Sequence, residues 1–133
     1  MSWTVEFEDE FVSEFGRLST RVQDALLAHA SVLENEGPLL GRPLVDTLKN
    51  SAFPNMKELR FNVDQGVWRV AFAFDTQRKC VLLVAGNKVG LRDKAEVRFY
   101  QALIKSADAR FARYLKTSQK VRSGHRKENK QCR

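Results

Sequence analysis

Arg60, Arg69 and Lys88 are three cations that the chain can bring together. Arg60 lies in MKELRF, Arg69 in GVWRVAFAF and Lys88 just after CVLLVAG, and each stretch has the alternation or apolar content of a strand. Guanidiniums offer planar paired donors and an ammonium offers a compact charge, which together hold a phosphate. Glu58 stands two residues from Arg60 on the same strand face, where it can pair with an arginine or carry a proton. Lys57 and Lys88 are further proton carriers, because neighbouring cations lower a lysine pKa. The same pattern also fits ordinary arginines on a solvated sheet face, neutralised by Glu58.

Register decides whether the cations meet. Leu59, Phe61 and Val63 share one face of the first strand, and Trp68, Val70, Phe72 and Phe74 share one face of the second. Both apolar faces must end on the same side of the sheet, which requires a two-residue loop at Asp64 and Gln65. Phe61 then pairs with Trp68, and Arg60 with Arg69. Like charges directly opposite are destabilising, so the pairing needs a reason. Ala71 and Ala73 beside them predict open room above the sheet. Continuing across DTQRK pairs Phe74 with Lys79 and Phe72 with Val81, and places Lys88 on the Arg69 face.

The positioning elements follow from periodicity. SWTVEFE alternates as a strand, and DEFVSEFGRL reads as a short helix with Asp9 as cap. From Ser19, a second cap, Val22, Ala25, Leu26, His29 and Leu33 recur at helical spacing until Glu36-Gly37-Pro38. Leu39 to Asn55 is rich in turn formers and reads as a loop. Strands follow at about Met56 to Val63, Val67 to Phe74 and Lys79 to Asn87, the last apolar on both faces and therefore covered. A closing helix runs from Asp93 to about Leu115 on the stripe Tyr100, Leu103, Ile104, Ala107, Phe111 and Tyr114. The expected fold is α+β: a small antiparallel sheet of about four strands, an N-terminal helical hairpin and a C-terminal helix.

The chain has 133 residues, enough for one domain, with 43% hydrophobic residues to build its core. No apolar run approaches a membrane span and the N-terminus is acidic, so a cytoplasmic protein without a membrane role is expected. Of the net charge of +7, nearly all lies beyond Leu115: Lys116, Lys120, Arg122, Arg126, Lys127, Lys130 and Arg133 face one acid, Glu128. This divides the chain into a near-neutral domain, 1–115, and a basic tail, 116–133, expected to be disordered when free. Such a tail predicts a polyanionic partner or a solvated end. Cys80 and Cys132 make no disulfide framework, and the cysteines and histidines lack metal-ligand spacing, so no metal and no cofactor is expected.

At the level of motifs, MKELRF, GVWRVAFAF, KCVLLVAGNKVG and DKAEVRFYQAL resemble, in order, the ELR strand, the arginine-bearing strand, the lysine-ended apolar strand and the terminal helix of RelE/ParE-superfamily toxins, HigB-like phage-associated branch. The resemblance spans roughly Trp3 to Leu115. It implies a RelE-like fold and a ribosome-dependent endoribonuclease that cuts mRNA. It also implies a cognate helix-turn-helix, HigA-like antitoxin, with operator DNA reached only through that antitoxin. The family's phosphate-binding cations map onto Arg60, Arg69 and Lys88. NKVG carries one lysine where the family has a pair, and the basic tail has no family counterpart. The superfamily's ParE arm inhibits gyrase instead, and a non-enzymatic nucleic-acid-binding module is the other alternative.

RNA can be cut without metal when its 2′-hydroxyl attacks the adjacent phosphate, given a base, an acid and positive charge. The expected catalytic set is Arg60, Arg69, Lys88, Lys57 and Glu58. Further RNA contacts are expected from Arg78, Arg92, Lys116, Lys120, Arg122, Arg126 and Lys127. His29 reads as a packed residue, His125 lies in the tail, and Tyr100 reads as core. The acid-rich hairpin, with Glu10, Glu14 and Asp24, is the expected antitoxin surface, ahead of direct cover over the cations.

Overall fold

The structure, a computed structural model, describes residues 2–131 of the chain, and their side chains over 2–118. Strand β1 (Thr4–Phe7) leads into helices α1 (Asp9–Gly16) and α2 (Thr20–Glu36). A 3₁₀ turn (Gly37–Leu39) precedes β2 (Val45–Thr47), β3 (Lys57–Val63), β4 (Gly66–Phe74), β5 (Lys79–Asn87) and α3 (Asp93–Gln131). The sheet order is β1-β5-β4-β3-β2. The fold is thus α+β with five strands, one more than expected.

Three expectations are corrected here. The segment read as loop contains β2, whose three residues are too few to register as a period-2 pattern. β1 runs parallel to β5, so the sheet is mixed. The two intervening helices and the hairpin strands return the chain far enough to place β1 along the free edge of β5, covering it. Finally, Glu8, not Asp9, caps α1: its carboxylate accepts from the amides of Glu10 (3.0 Å) and Phe11 (3.1 Å). Ser19 caps α2 as expected, accepting from Val22 at 3.3 Å.

Each face of the sheet carries its own core. Phe11, Leu26 and Leu33 from α1 and α2 pack on Leu59, Phe61, Val70, Phe72 and Leu82. On the opposite face Leu103, Ala107 and Phe111 of α3 pack on Met56, Ala71, Ala73, Val81 and Leu83. The β3–β4 register is the one that the apolar faces require: Phe61 opposes Trp68 and Arg60 opposes Arg69. Asp64 and Gln65 form the two-residue turn with φ of 49° and 66°, as a primed hairpin turn demands. Gly66 serves packing: a Cβ there would lie 2.6 Å from the Trp68 indole nitrogen.

The β4–β5 register departs from expectation. Phe74 opposes Cys80 and Phe72 opposes Leu82, while Ala71 opposes Val84. Leu83 is therefore an extra residue, a β-bulge that no period-2 reading anticipates. The bulge turns Val81, Leu83 and Val84 all toward α3, while Cys80 and Leu82 face the other core. It also frees the Leu83 carbonyl, which accepts from the Arg110 guanidinium at 2.8 Å. The same guanidinium pairs with Glu14 at 2.6 Å, so α1, β5 and α3 meet at one buried cation.

Helix α3 does not end at Leu115; it continues to Gln131. The apolar stripe reports where the helix is buried, whereas Lys, Arg and Gln are good helix formers that extend it without burial.

Candidate phosphate-binding site

The carboxylate, the two arginines and the lysine occupy the α3 face of the sheet. Arg60 and Arg69 are direct neighbours, and Glu58 opposes Ala71 one step along the same face. Contrary to the expectation from sequence, the small residues leave no open room: Ala71 and Ala73 lie at 0% and 2% exposure beneath α3. Gly86, opposite Arg69, serves the same approach, since a Cβ there would meet the Phe99 ring at 2.7 Å. The site accordingly sits where the first turns of α3 meet the sheet.

The two arginines are unlike. Arg69 has 7% of its side-chain surface exposed. Its Nε donates to the Tyr100 hydroxyl at 3.3 Å, and its Nη1 donates to the Trp68 carbonyl at 2.9 Å. Glu58 lies 3.6 Å from it and is 8% exposed. The Tyr100 hydroxyl donates to Glu58 Oε1 at 2.9 Å, which closes a three-residue cluster. Arg60 keeps 34% exposure and has Asp46 only at 4.0 Å. Carboxylates on either side thus offset the repulsion between the guanidiniums.

Burial pushes the Glu58 carboxyl above its ordinary range, against the lowering pull of the Tyr100 hydroxyl and of both arginines. Burial and the Glu58 charge also raise the Tyr100 phenol. Lys88 pairs with Glu96 and lies 5.6 Å from the centre of the Tyr100 ring. That contact holds the Glu96 carboxyl below its ordinary range. Between α3 and the Thr47–Asn50 segment runs a groove of about 720 Å³, with Glu58, Glu96 and Tyr100 in its wall. A larger hollow of about 840 Å³, lined by Glu6, Glu10, Arg113 and Tyr114 among others, contains none of the site cations.

The structure brings together Glu58, Arg60, Arg69 and Lys88 and leaves other candidates outside. Lys57 pairs with Phe72 and alternates onto the opposite face, away from the cluster. Arg78 lies in the β4–β5 turn at the far end of β5, over the Trp3 ring at 4.5 Å. Arg92 is exposed in the β5–α3 connection, and its carbonyl accepts from Ala95 at 3.0 Å. Lys116 is exposed on α3; Lys120, Arg122, Arg126 and Lys127 lie on the same helix, their side chains outside the described set. His125 is among those as well, and Cys132 lies outside the described residues. His29 is packed, stacking on Phe61 at 5.1 Å between ring centres. Among the described residues, no three His, Cys, Asp or Glu side chains gather as metal ligands do.

Tyr100 belongs to the site, although its place in the apolar stripe reads as core. The available signal was its hydroxyl, because a half-buried tyrosine needs a polar partner and the sheet beneath offers Glu58 and Arg69. Asp46 and Glu96 gave no such signal, since their partners depend on β2 and on the angle at which α3 crosses the sheet.

The model of the phage-derived Gp49-like (DUF891) family matches residues 13–112. HigB2 of Mycobacterium tuberculosis, a candidate toxin, is 37% identical over 98% of this chain. HigB3 of the same organism, also a candidate toxin, is 44% identical over 63% of the chain. The chain spans 63% of the length of HigB2 and 68% of HigB3. Among solved structures, a double arginine-to-alanine mutant of E. coli toxin RelE in the free state superposes with a TM-score of 0.56. It covers 78% of this chain and 95% of its own at 14% identity, a likeness of fold.

Proposed function

This chain belongs to the Gp49-like family of RelE-fold, HigB-type toxins, and from that premise we propose that it is a ribosome-dependent, metal-independent endoribonuclease that cuts mRNA. The observation that carries the reading is the Glu58–Tyr100–Arg69 cluster beside Arg60 and Lys88. It pairs a carboxyl of raised pKa with cations on one face, as phosphodiester transfer requires.

In this mechanism Arg60 and Lys88 hold the non-bridging oxygens of the scissile phosphate. Glu58, as carboxylate, takes the 2′-hydroxyl proton. The 2′-oxygen bonds to phosphorus, the bond to the 5′-oxygen breaks, and the Lys88 ammonium supplies the proton that this oxygen takes up. A 2′,3′-cyclic phosphate and a 5′-hydroxyl remain. Arg69 does not reach for substrate in this scheme; it orients Tyr100 and Glu58 and sustains the carboxylate's charge.

The basic tail, 116–133, is a second RNA contact remote from the chemistry. At about 1.5 Å per residue, α3 places Lys116 roughly 24 Å along its axis from Tyr100. The tail would therefore engage ribosomal RNA away from the scissile phosphate, in the cytoplasm. The cognate partner is a HigA-like antitoxin. Its docking on α1 and α2 would not use Glu10 and Glu14 as free charges, because both pair with Arg110 of α3; Asp24 stays exposed.

Purified protein added to ribosomes programmed with a defined mRNA, followed by mapping of new ends, tests this reading. Cuts should appear with protein that has been treated with EDTA and desalted before it meets the ribosomes, and should be absent with Arg60→Ala. Intact mRNA in the presence of the wild-type protein would refute it.

A further inference from the structure

We propose that Glu96 is a resident counter-ion at the substrate-anion position of Lys88, which a phosphate must displace, so that the site favours RNA already held in place over free RNA. The inference rests on the nuclease reading and adds the means of selecting its substrate.

Every cation of the site has a carboxylate in the free protein, and the three pairs differ in how easily they open. Glu58 is 8% exposed beside Arg69 and has Tyr100 as a second partner, so it stays. Asp46 stands 4.0 Å from Arg60, closer to Arg42 at 3.3 Å, and yields Arg60 readily. Glu96 is the third. It is 38% exposed on the first turn of α3, while Lys88 is only 16% exposed and has the Tyr100 ring on another side. The pair with Glu96 therefore lies across an approach to the ammonium.

A phosphodiester that reaches Lys88 exchanges one singly charged anion for another. The exchange brings little net attraction, and until Glu96 swings away the two negative charges repel. RNA bound elsewhere on a large partner is presented at high effective concentration, so a nearly balanced local exchange still proceeds. Free RNA has no such help. Glu96 is exposed enough to rotate outward, and among the described residues it pairs with Lys88, with Arg69 adding only a weaker pull through space.

The test measures binding of a single-stranded RNA oligonucleotide carrying 2′-deoxy sugars, which cannot be cut by 2′-attack. Glu96→Gln keeps the shape and an acceptor while removing the charge, and should bind about fivefold more tightly than wild type. Glu96→Asp should stay within about twofold of wild type. Asp24→Asn makes the same change in net charge at an exposed position on α2, and should also stay within about twofold. A Glu96→Gln protein that binds no better than wild type, or an equal gain from Asp24→Asn, overturns the proposal. A merely structural Glu96 would change the melting temperature without a gain in affinity. If Glu96→Gln gains affinity while the wild type leaves ribosome-bound mRNA intact, the counter-ion stands and the nuclease reading falls.

Discussion

Arg60 and Arg69 face each other across β3 and β4, yet only Arg60 has a guanidinium open to a ligand. Arg69 is committed to Tyr100, the Trp68 carbonyl and Glu58. Alanine at either position should relieve growth arrest, but the stability of the two variants should differ. Arg60→Ala should melt within about 0.5 kcal/mol of wild type. Arg69→Ala leaves Glu58 buried without its cation and should lose about 3 kcal/mol. Thermal unfolding beside a growth assay checks both; equal melting temperatures would contradict the division of roles.

Tyr100→Phe removes the hydroxyl that supports the Glu58 charge and should lower the cleavage rate. With Glu58 as base, the rate rises with pH through its pKa, which burial places above the ordinary carboxylate range. The Tyr100 hydrogen bond lowers that pKa, so Tyr100→Phe should move the rising limb to higher pH. A limb that stays in place would remove Glu58 from the role of base.

Two carboxyls should push acid stability in opposite directions. The Arg110 hydrogen bond lowers the Glu14 pKa, so its stabilisation is present above the ordinary carboxylate range and is lost as pH falls through the depressed value. The raised pKa of Glu58 gives stability that is full below the ordinary value and lost as pH rises through the folded one. Glu14→Gln should therefore flatten the acid side of a melting-temperature profile. Glu58→Gln should remove the decline just above the carboxylate range.

The hairpin turn carries Asp64 and Gln65 at positive φ, where glycine is favoured at the second position. Gln65→Gly should stabilise the protein by about 0.5–1 kcal/mol, with relief of strain exceeding the added freedom of the unfolded chain. Asp64 should be left unchanged, because Arg21 pairs with it at 2.8 Å. Denaturant titration measures the gain.

Truncation after Ser118 removes six basic residues and one acid. It should leave the melting temperature nearly unchanged, because both cores lie before that point. It should also reduce the salt slope of RNA binding by about 0.7 for each tail cation that meets a phosphate. An unaltered slope would show that the tail does not touch RNA.

The sequence made the hairpin register and the pairing of Arg60 with Arg69 legible, because one apolar face per strand leaves a single solution. It made the helices legible by their stripes. It could not reveal that α3 lies over Ala71 and Ala73, since small residues look alike under a ligand and under a helix. Lys57 is next to Glu58 in sequence, yet adjacent strand residues face opposite sides. Tyr100 and Glu96 enter the site only through the crossing of α3 over the sheet, a tertiary relation that local pattern does not encode.

The bulge at Leu83 has a consequence for how this chain tolerates insertion and deletion. Removing Leu83 would let Val84 follow Leu82 in unbroken alternation, with Ala71 still opposite Val84 and Phe72 still opposite Leu82. Gly86 and Lys88 would keep their side of the sheet, whereas a lost residue elsewhere in β5 would invert part of the strand. The change would nonetheless withdraw the carbonyl that receives Arg110. Chains of this architecture that align one residue short at this point are therefore expected to lack the arginine on α3 as well, so that a gap on one strand and a substitution on a distant helix travel together.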